Sequence, residues 1–298
     1  MSGSMSLRSL LDRARPACCV GRFLPSLSKE NLGADYDTSW ARRAPARAIR
    51  RLLLQYVTRP LVRIVAPPTI IGLDRLEQLE GPVIFAGNHS SHLDTSLVLA
   101  SLPVRFRHHA IVAAGADYWF DEHWKAAIAA LWLNIIPIER EKVGRKSADL
   151  TASLIEDGWN LVIFPEGSRS RDGFIAPFRG GAAYLGIRCG VPIVPIHLEG
   201  TRRIFGVGAR RVSPGPTRVV FGEPILPQPS ERTRDLNVRI ERAVAEAADE
   251  GRTDWWSARQ RAVRGESPSL QGPEGVTGWR RTWAGSERVA RRDDNRWP

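Results

Sequence analysis

Long apolar runs are missing from this chain. No stretch reaches the ~18 consecutive apolar residues that a spanning helix needs, so any contact with a membrane is expected to be along its surface. Cysteine is scarce: only Cys18, Cys19 and Cys189 occur. Adjacent cysteines rarely bridge each other and an odd count gives no disulfide framework, which points to a reducing compartment. No Cys/His cluster has metal-ligand spacing, which argues against a zinc site. The start of the chain lacks an apolar core followed by a small-residue cleavage site, so secretion is not expected. Lysine is nearly absent: Lys29, Lys125, Lys142 and Lys146 stand against 39 arginines, a bias that a GC-rich genome alone can produce and that weakens any argument from a single surface arginine. No Gly-x-Ser-x-Gly turn is present, so no enzyme hydroxyl is presented on a nucleophile elbow.

What is present suits one α/β domain. The 298 residues, 43% of them hydrophobic, can bury a core of about 200 residues and leave tails over. The net charge is +11, and residues 1–60 supply +7 of it, with 11 Arg or Lys against Asp12, Glu30, Asp35 and Asp37. A basic arm suits an anionic membrane surface or nucleic acid. Residues 1–45 are polar and irregular and read as a poorly ordered basic tail. Residues 46–66 mix Leu52, Leu53, Leu54, Tyr56, Val57, Leu61 and Ile64 with Arg47, Arg50, Arg51, Arg59 and Arg63, a basic amphipathic segment with Pro60 expected to kink or split it. It reads as an interfacial anchor, apolar side in the acyl boundary and arginines on headgroups, or as a helix packed on the core with a solvated basic face. Residues 253–298 carry Trp255, Trp256, Trp279, Trp283 and Trp297 in a Trp/Arg-rich extension that either seats in an interface or packs back on the domain.

Between them, residues 67–252 alternate strand and helix. Strands are expected at 69–73, 82–86, 110–114, 135–138, 160–164, 191–197 and 218–221. Helices are expected at 95–101, 121–131, 147–157, 181–189 and 230–250, with Gly158 and Gly190 as stop signals. Such alternation predicts an α/β sandwich with a mostly parallel sheet flanked by helices. Pro192 and Pro195 put the strand at 191–197 at a sheet edge or give it an irregular start.

Chemistry concentrates where strands end, the ligand-binding side of a parallel sheet. After the strand at 82–86 comes Gly87-Asn88-His89-Ser90-Ser91-His92-Leu93-Asp94. Five residues on one continuous helix would turn His89 and Asp94 about 140° apart, so they meet only if the chain reverses between them, which Gly87 and Asn88 permit. A carboxylate folded onto an imidazole makes a general base. With no enzyme nucleophile nearby, the hydroxyl that His89 activates belongs to the substrate. The plainer alternative has Asp94 capping the next helix and His89 as a satisfied loop residue. His92 competes as base but lies too near Asp94 in sequence for easy pairing. After the strand at 160–164 comes Pro165-Glu166-Gly167-Ser168-Arg169: Gly167 permits close backbone approach, Ser168 and Arg169 offer donors to a phosphate, and Glu166 can hold a hydroxyl or Arg169. Arg140, after the strand at 135–138, is a weaker phosphate candidate. The apolar run Val191–Ile196 can line an acyl channel or simply pack.

In order and spacing, Asn88-His89-x-Ser91-x-x-Asp94, Ile138-Glu139-Arg140, Phe164-Pro165-Glu166-Gly167-Ser168-Arg169 and Val191-Pro192-Ile193-Val194-Pro195 resemble the blocks of the lysophosphatidic acid acyltransferase family (1-acylglycerol-3-phosphate O-acyltransferases) over residues 70–225. The resemblance implies the glycerol-phosphate acyltransferase-like sandwich, and transfer of a fatty acyl group to a lysophospholipid hydroxyl in phospholipid biosynthesis. His89 is then the base and Asp94 its brace, with Arg140, Glu166, Gly167, Ser168 and Arg169 around the acceptor. The implied donor is acyl-CoA or acyl-carrier protein as cosubstrate, with no metal, no cofactor and no acyl-enzyme. The implied partners are an anionic membrane surface and no nucleic acid, which places the chain peripherally on the cytoplasmic face of the cell membrane. Two positions depart from the family: Arg179 stands where relatives often carry Lys in a Pro-Phe-Lys-x-Gly run, and the strand at 110–114 lacks a common Lys. Glycerol-3-phosphate, a glycolipid or an aminolipid are alternative acceptors; a non-catalytic basic lipid-binding protein explains the arm but not the residues at the strand ends.

Overall fold

The computed structural model describes residues 33–138, 145–170 and 172–271. Its strands are β1 (Pro68–Ile71), β2 (Ile84–Gly87), β3 (Ala110–Gly115), β4 (Ile135–Ile138), β5 (Asn160–Ile163), β6 (Ile193–Glu199) and β7 (Thr217–Phe221). They form one sheet in the order β1–β7–β6–β2–β5–β3–β4, parallel except where β7 runs against β6. The inner strands β2 and β5 are buried along their whole length, as a sheet covered on both faces requires.

Side-chain alternation divides each strand between two cores. Phe85, Val162 and Val194 face one layer, built from α1 (Ala44–Leu53), α2 (Arg59–Val65), α3 (Asp94–Ser101), α4 (Val104–Arg107), α5 (Ala116–Trp119) and α6 (His123–Leu133). Ile84, Leu161 and Ile193 face the other, built from α7 (Arg145–Glu156), α8 (Gly181–Cys189) and α10 (Thr233–Arg252), α9 (Thr201–Phe205) lying at the end of β6. Leu236, Ile240, Val244 and Ala248 recur on one face of α10, which is why that helix packs on this side.

Several expectations are corrected. Residues 33–45 are not an irregular tail: Tyr36, Trp40 and Ala41 are buried in the first core, and α1 begins at Ala44. Residues 1–32 lie outside the described residues. Pro60 does not split the amphipathic segment. A π turn, Leu54–Thr58, joins α1 to α2 with Leu53, Leu54, Thr58 and Arg59 all helical. Pro60 follows the π turn inside this continuous run of helix, and Arg59 N–H donates to Leu54 O, one residue further back than in an α-helix. Along this helix the buried stripe is Ala46, Arg50, Leu54, Thr58 and Val62, while Ile49, Leu52, Tyr56, Leu61 and Ile64 are exposed. The helix therefore packs on the domain yet turns apolar side chains to solvent. Arg50 is held by the main-chain oxygens of Ala41 and Ala130, and burial pulls its pKa down to about 10.

β6 is an interior strand, not an edge. It pairs with β2 in regular parallel register from Ile193 on, and on its other side Gly222 N–H donates to the Pro195 carbonyl just beyond the β7 pairing at Phe221. Beyond the last expected helix, α11 (Trp255–Arg264) packs through Ala258 and Ala262 while Trp255 and Trp256 are exposed. Trp279, Trp283 and Trp297 lie outside the described residues.

Candidate active site

Three neighbouring strands, β5, β2 and β6, end side by side, and the loops that follow them make the site. This is the crevice at the carboxyl end of a parallel sheet where ligands collect. β2 delivers Asn88 and His89, β5 delivers Phe164 to Ser170, and β6 delivers Gly200 and Thr201.

His89 and Asp94 meet. The chain reverses after β2 and α3 begins at Asp94, so the carboxylate lies at a helix N-terminus and points back along the loop. Asp94 Oδ2 accepts from His89 Nδ1 at 2.8 Å, from Ser90 N–H at 2.7 Å and from Ser91 N–H at 2.8 Å. Asp94 is fully buried and the His89 side chain keeps 19% of its surface exposed. A carboxylate only accepts, so Nδ1 carries the hydrogen and Nε2 keeps its lone pair for a proton from outside. The imidazole stacks on Phe164, centroids 4.3 Å apart and planes 16° from parallel, which fixes its tilt.

The His89 backbone is clamped from β5. Its N–H donates to Glu166 Oε1 at 2.6 Å, and its carbonyl accepts from Ser170 N–H at 2.7 Å. Glu166 Oε2 accepts from Ala176 N–H at 2.8 Å, so both oxygens of this buried carboxylate are spent on main chain. From β6, the Asn88 side chain donates to Leu198 O at 2.9 Å and accepts from Leu198 N–H at 2.7 Å, adding a rung to the sheet one residue before His89. Sequence reasoning gave Asn88 only turn tolerance and gave Phe164 no role. The signal available was a polar amide at the end of a buried strand, which needs partners. Asn88→Ala is expected to strand the buried N–H and C=O of Leu198 and lower stability by ~2–4 kcal/mol, read as a fall in Tm together with lost turnover. An unchanged Tm would show that the rung bears no load.

The remaining expected residues separate. Gly167 lies at φ +73°, and a Cβ there would stand 2.8 Å from Arg179 Nε, so glycine is required for Arg179 to cross this turn. Ser168 is exposed. Arg169 contacts His92 Nε2 and lies over the Tyr118 ring, 5.0 Å from its centroid. Burial, then the Arg169 charge, hold the His92 pKa below its usual value, and His92 makes no bond to Asp94, which leaves His89 as the braced imidazole. Arg140 lies outside the described residues.

The His89 ring opens onto two cavities of opposite character. One, about 130 Å³, is walled by Val112, Ala114, Trp119, Leu133, Ile135 and Ile138 and has Arg179 at its polar end. The other, about 120 Å³, is lined by His197, Glu199, Arg202 and Arg252, with Ser90 and Ser170 beside them. Arg169 lines neither. An apolar slot and a polar slot meeting at a base are what an acyl donor and a hydroxyl acceptor need in common.

Residues 68–199 match the acyltransferase family model. The chain is 31% identical over 160 residues to a chloroplast 1-acyl-sn-glycerol-3-phosphate acyltransferase of Arabidopsis thaliana, covering 52% of this chain and 43% of that protein. It is 29% identical over 166 residues to a chloroplast enzyme of the same name from Brassica napus (52% and 44%), and 28% over 148 residues to the human alpha form (48% and 50%). The matched segment thus spans about half the length of these curated relatives. The crystal structure of the 1-acyl-sn-glycerophosphate acyltransferase from Thermotoga maritima superposes with a TM-score of 0.56 at 20% identity, covering 72% of this chain and 86% of that one, and shares the fold.

Proposed function

We propose that this chain, whose residues 68–199 match the acyltransferase family model, is an O-acyltransferase that moves a fatty acyl group from a thioester, acyl-CoA or acyl-carrier protein, onto the free hydroxyl of 1-acylglycerol-3-phosphate. The observation that carries the reading is the His89–Asp94 pair set where an apolar and a polar cavity join. His89 Nε2 takes the hydroxyl proton as the oxygen bonds to the thioester carbonyl carbon, and Asp94 stabilises the imidazolium. The tetrahedral oxyanion collapses, the C–S bond breaks, and the thiolate recovers the proton from His89. No bond to the protein forms, so rate is gained by positioning the two substrates. The acyl chain enters the slot between β3, β4 and Trp119, whose walls are aliphatic.

Thiol release from palmitoyl-CoA, measured with 1-acylglycerol-3-phosphate, glycerol-3-phosphate, monoacylglycerol and a lysoglycolipid in turn, tests the assignment. Release and a new diacyl product are expected with the first acceptor; release with none of them, or only by hydrolysis, would remove it.

The exposed face of the α1–α2 segment supports work at a lipid surface. Ile49, Leu52, Tyr56, Leu61 and Ile64 are exposed beside Arg51 and Arg63, and α6, packed against α1, adds exposed Trp124 and Ile128. Apolar side chains at acyl depth with arginines at headgroup level match an interfacial helix. No helix among the described residues is long and apolar enough to cross a membrane. Leu52→Asp combined with Tyr56→Asp, at positions 58% and 71% exposed, is expected to leave folding intact. The same pair should cut co-sedimentation with phosphatidylglycerol vesicles by ~10-fold or more, since each buried apolar side chain is worth ~1.5–3 kcal/mol. Undiminished binding would move the lipid contact elsewhere.

A further inference from the structure

Part of the wall around the base comes from outside the matched segment. That segment ends at residue 199, yet Leu270 lines the polar cavity together with His89. Leu270 stands alone as an aliphatic side chain in the run Glu266-Ser267-Pro268-Ser269-Leu270-Gln271. It is partly buried against the second core, where leaving water is favourable for it.

The segment is tied at both ends. Gly265, at φ +73°, ends α11 and turns the chain back, and Glu266 N–H donates to Arg261 O at 2.8 Å. The chain then passes α10, with a cavity of about 400 Å³ between them that Phe178, Val238 and Val244 help to wall. It regains the domain at the loop after β5, where the Leu270 carbonyl accepts from Ile175 N–H at 2.9 Å. Gln271 Nε2 donates to Glu241 Oε1 on α10, and Glu241 Oε2 accepts from Phe178 N–H at 3.1 Å. Gly265–Gln271 is therefore a strap. The loop it reaches is the one that holds the base: Ser170 N–H binds the His89 carbonyl, and Ala176 N–H binds Glu166, the clamp on His89 N–H. Phe174, Ile175, Leu198 and Leu270 are the aliphatic and aromatic walls of the polar cavity, and of these Leu270 alone arrives from beyond residue 199.

That position has a chemical consequence. A base that activates an alcohol beside a thioester can also activate water. The water oxygen bonds to the carbonyl carbon as His89 takes its proton, the C–S bond breaks, and the thiolate recovers that proton. A fatty acid and a thiol result, and the acyl group is lost. At about 120 Å³ the cavity has the bulk of roughly four waters, so its closure against bulk solvent governs how often this happens. Resting on the acyltransferase reading, we infer that the Gly265–Gln271 strap closes the cavity at His89 against bulk water, and that Leu270 biases the site toward an alcohol over water as the attacking oxygen. Leu270 takes no part in the chemistry. It is a specificity residue that acts by excluding the competing nucleophile, and it is supplied by chain outside the matched segment.

The test uses the full chain and two readouts. The first is palmitate released per diacyl product formed from palmitoyl-CoA and 1-acylglycerol-3-phosphate. The second is the rate at which diethyl pyrocarbonate modifies His89, read by peptide mass spectrometry against His108, which lies just before β3 at the other end of the sheet. Leu270→Ala is expected to raise the hydrolysis ratio by ~5-fold or more with the thioester KM within about twofold, and to speed modification of His89 but not of His108. Leu270→Met, which conserves volume, should restore the wild-type ratio. Val263→Ala, at a position 80% exposed on α11 that lines neither cavity at His89, should leave both readouts unchanged. If Leu270→Ala fails to fold, Leu270→Val carries the same readouts with a smaller rise. An unchanged hydrolysis ratio in an active Leu270→Ala enzyme overturns the inference, whatever the labelling shows. An equal rise in Val263→Ala also overturns it, since general loosening then accounts for the effect. A wild type that turns over no thioester with any acceptor removes the acyltransferase reading instead. Labelling then decides the strap: faster modification of His89 in Leu270→Ala sustains the closure, and equal rates overturn it.

Discussion

Replacing His89 by alanine is expected to reduce acyl transfer by ~10²–10⁴-fold or more while the protein stays folded. In the proposed mechanism the imidazole is the base; its Nδ1 is tied to a buried carboxylate, and His89 lines both cavities. Its main-chain links to Glu166 and Ser170 do not depend on the side chain and survive in alanine. Thermal unfolding should therefore shift little, the lost contacts being the stacking on Phe164 and one hydrogen bond. The check is steady-state thiol release alongside a melting curve. Activity within about tenfold of wild type, with the fold intact, would take His89 out of the base role, since a positioned general base contributes at least ~10².

Asp94→Asn is expected to lower kcat by a comparable ~10²–10⁴-fold with both KM values nearly unchanged. Asparagine has the same shape and can place its oxygen where Oδ2 accepts from His89 Nδ1, Ser90 N–H and Ser91 N–H, leaving the amide at the Oδ1 corner, where no partner exists among the described residues. The loop geometry is thereby kept and the negative charge removed. What disappears is stabilisation of the imidazolium formed as the hydroxyl attacks, a transition-state effect rather than a binding one. A variant that instead raised KM for both substrates at constant kcat would mark Asp94 as a loop organiser. Asp94→Ala distinguishes the contributions further: it also strands two main-chain N–H groups and should lose more stability than Asp94→Asn, which keeps those bonds.

The two substitutions separate the chemistry from its support. Asn88 and Glu166 touch the backbone around His89, so changing them should lower Tm and activity together, whereas His89→Ala and Asp94→Asn should lower activity far more than Tm. This division follows from where each group's hydrogen bonds end: on main chain for the supports, on the imidazole for the brace.

Much of the fold was legible in local sequence because burial on both faces leaves a local mark. Apolar runs such as Leu161-Val162-Ile163 cannot be exposed, and the spacing of Leu236, Ile240 and Val244 fits only a helix face, so the strands and long helices were found to within a few residues. The short helices α4, α5 and α9 and the buried segment around Trp40 were missed because what fixes them is packing from distant residues rather than any local period.

For the site, the sequence by itself determined the residue types and the strand ends on which they stand: an imidazole, a carboxylate five positions on, and a Glu-Gly-Ser-Arg turn after the strand at 160–164. Only the tertiary structure decided which of them cooperate. It brought Asp94 onto His89, used Glu166 as a clamp on a backbone 77 positions away in sequence, turned Arg169 aside to His92, and carried Arg252 from the end of α10 to the rim of the same cavity as His89. The physical reason is that a strand's character is set by its own burial pattern, while the neighbours its end will meet are set by the order of strands in the sheet, a choice made by the packing of the whole domain and written in no local stretch of chain.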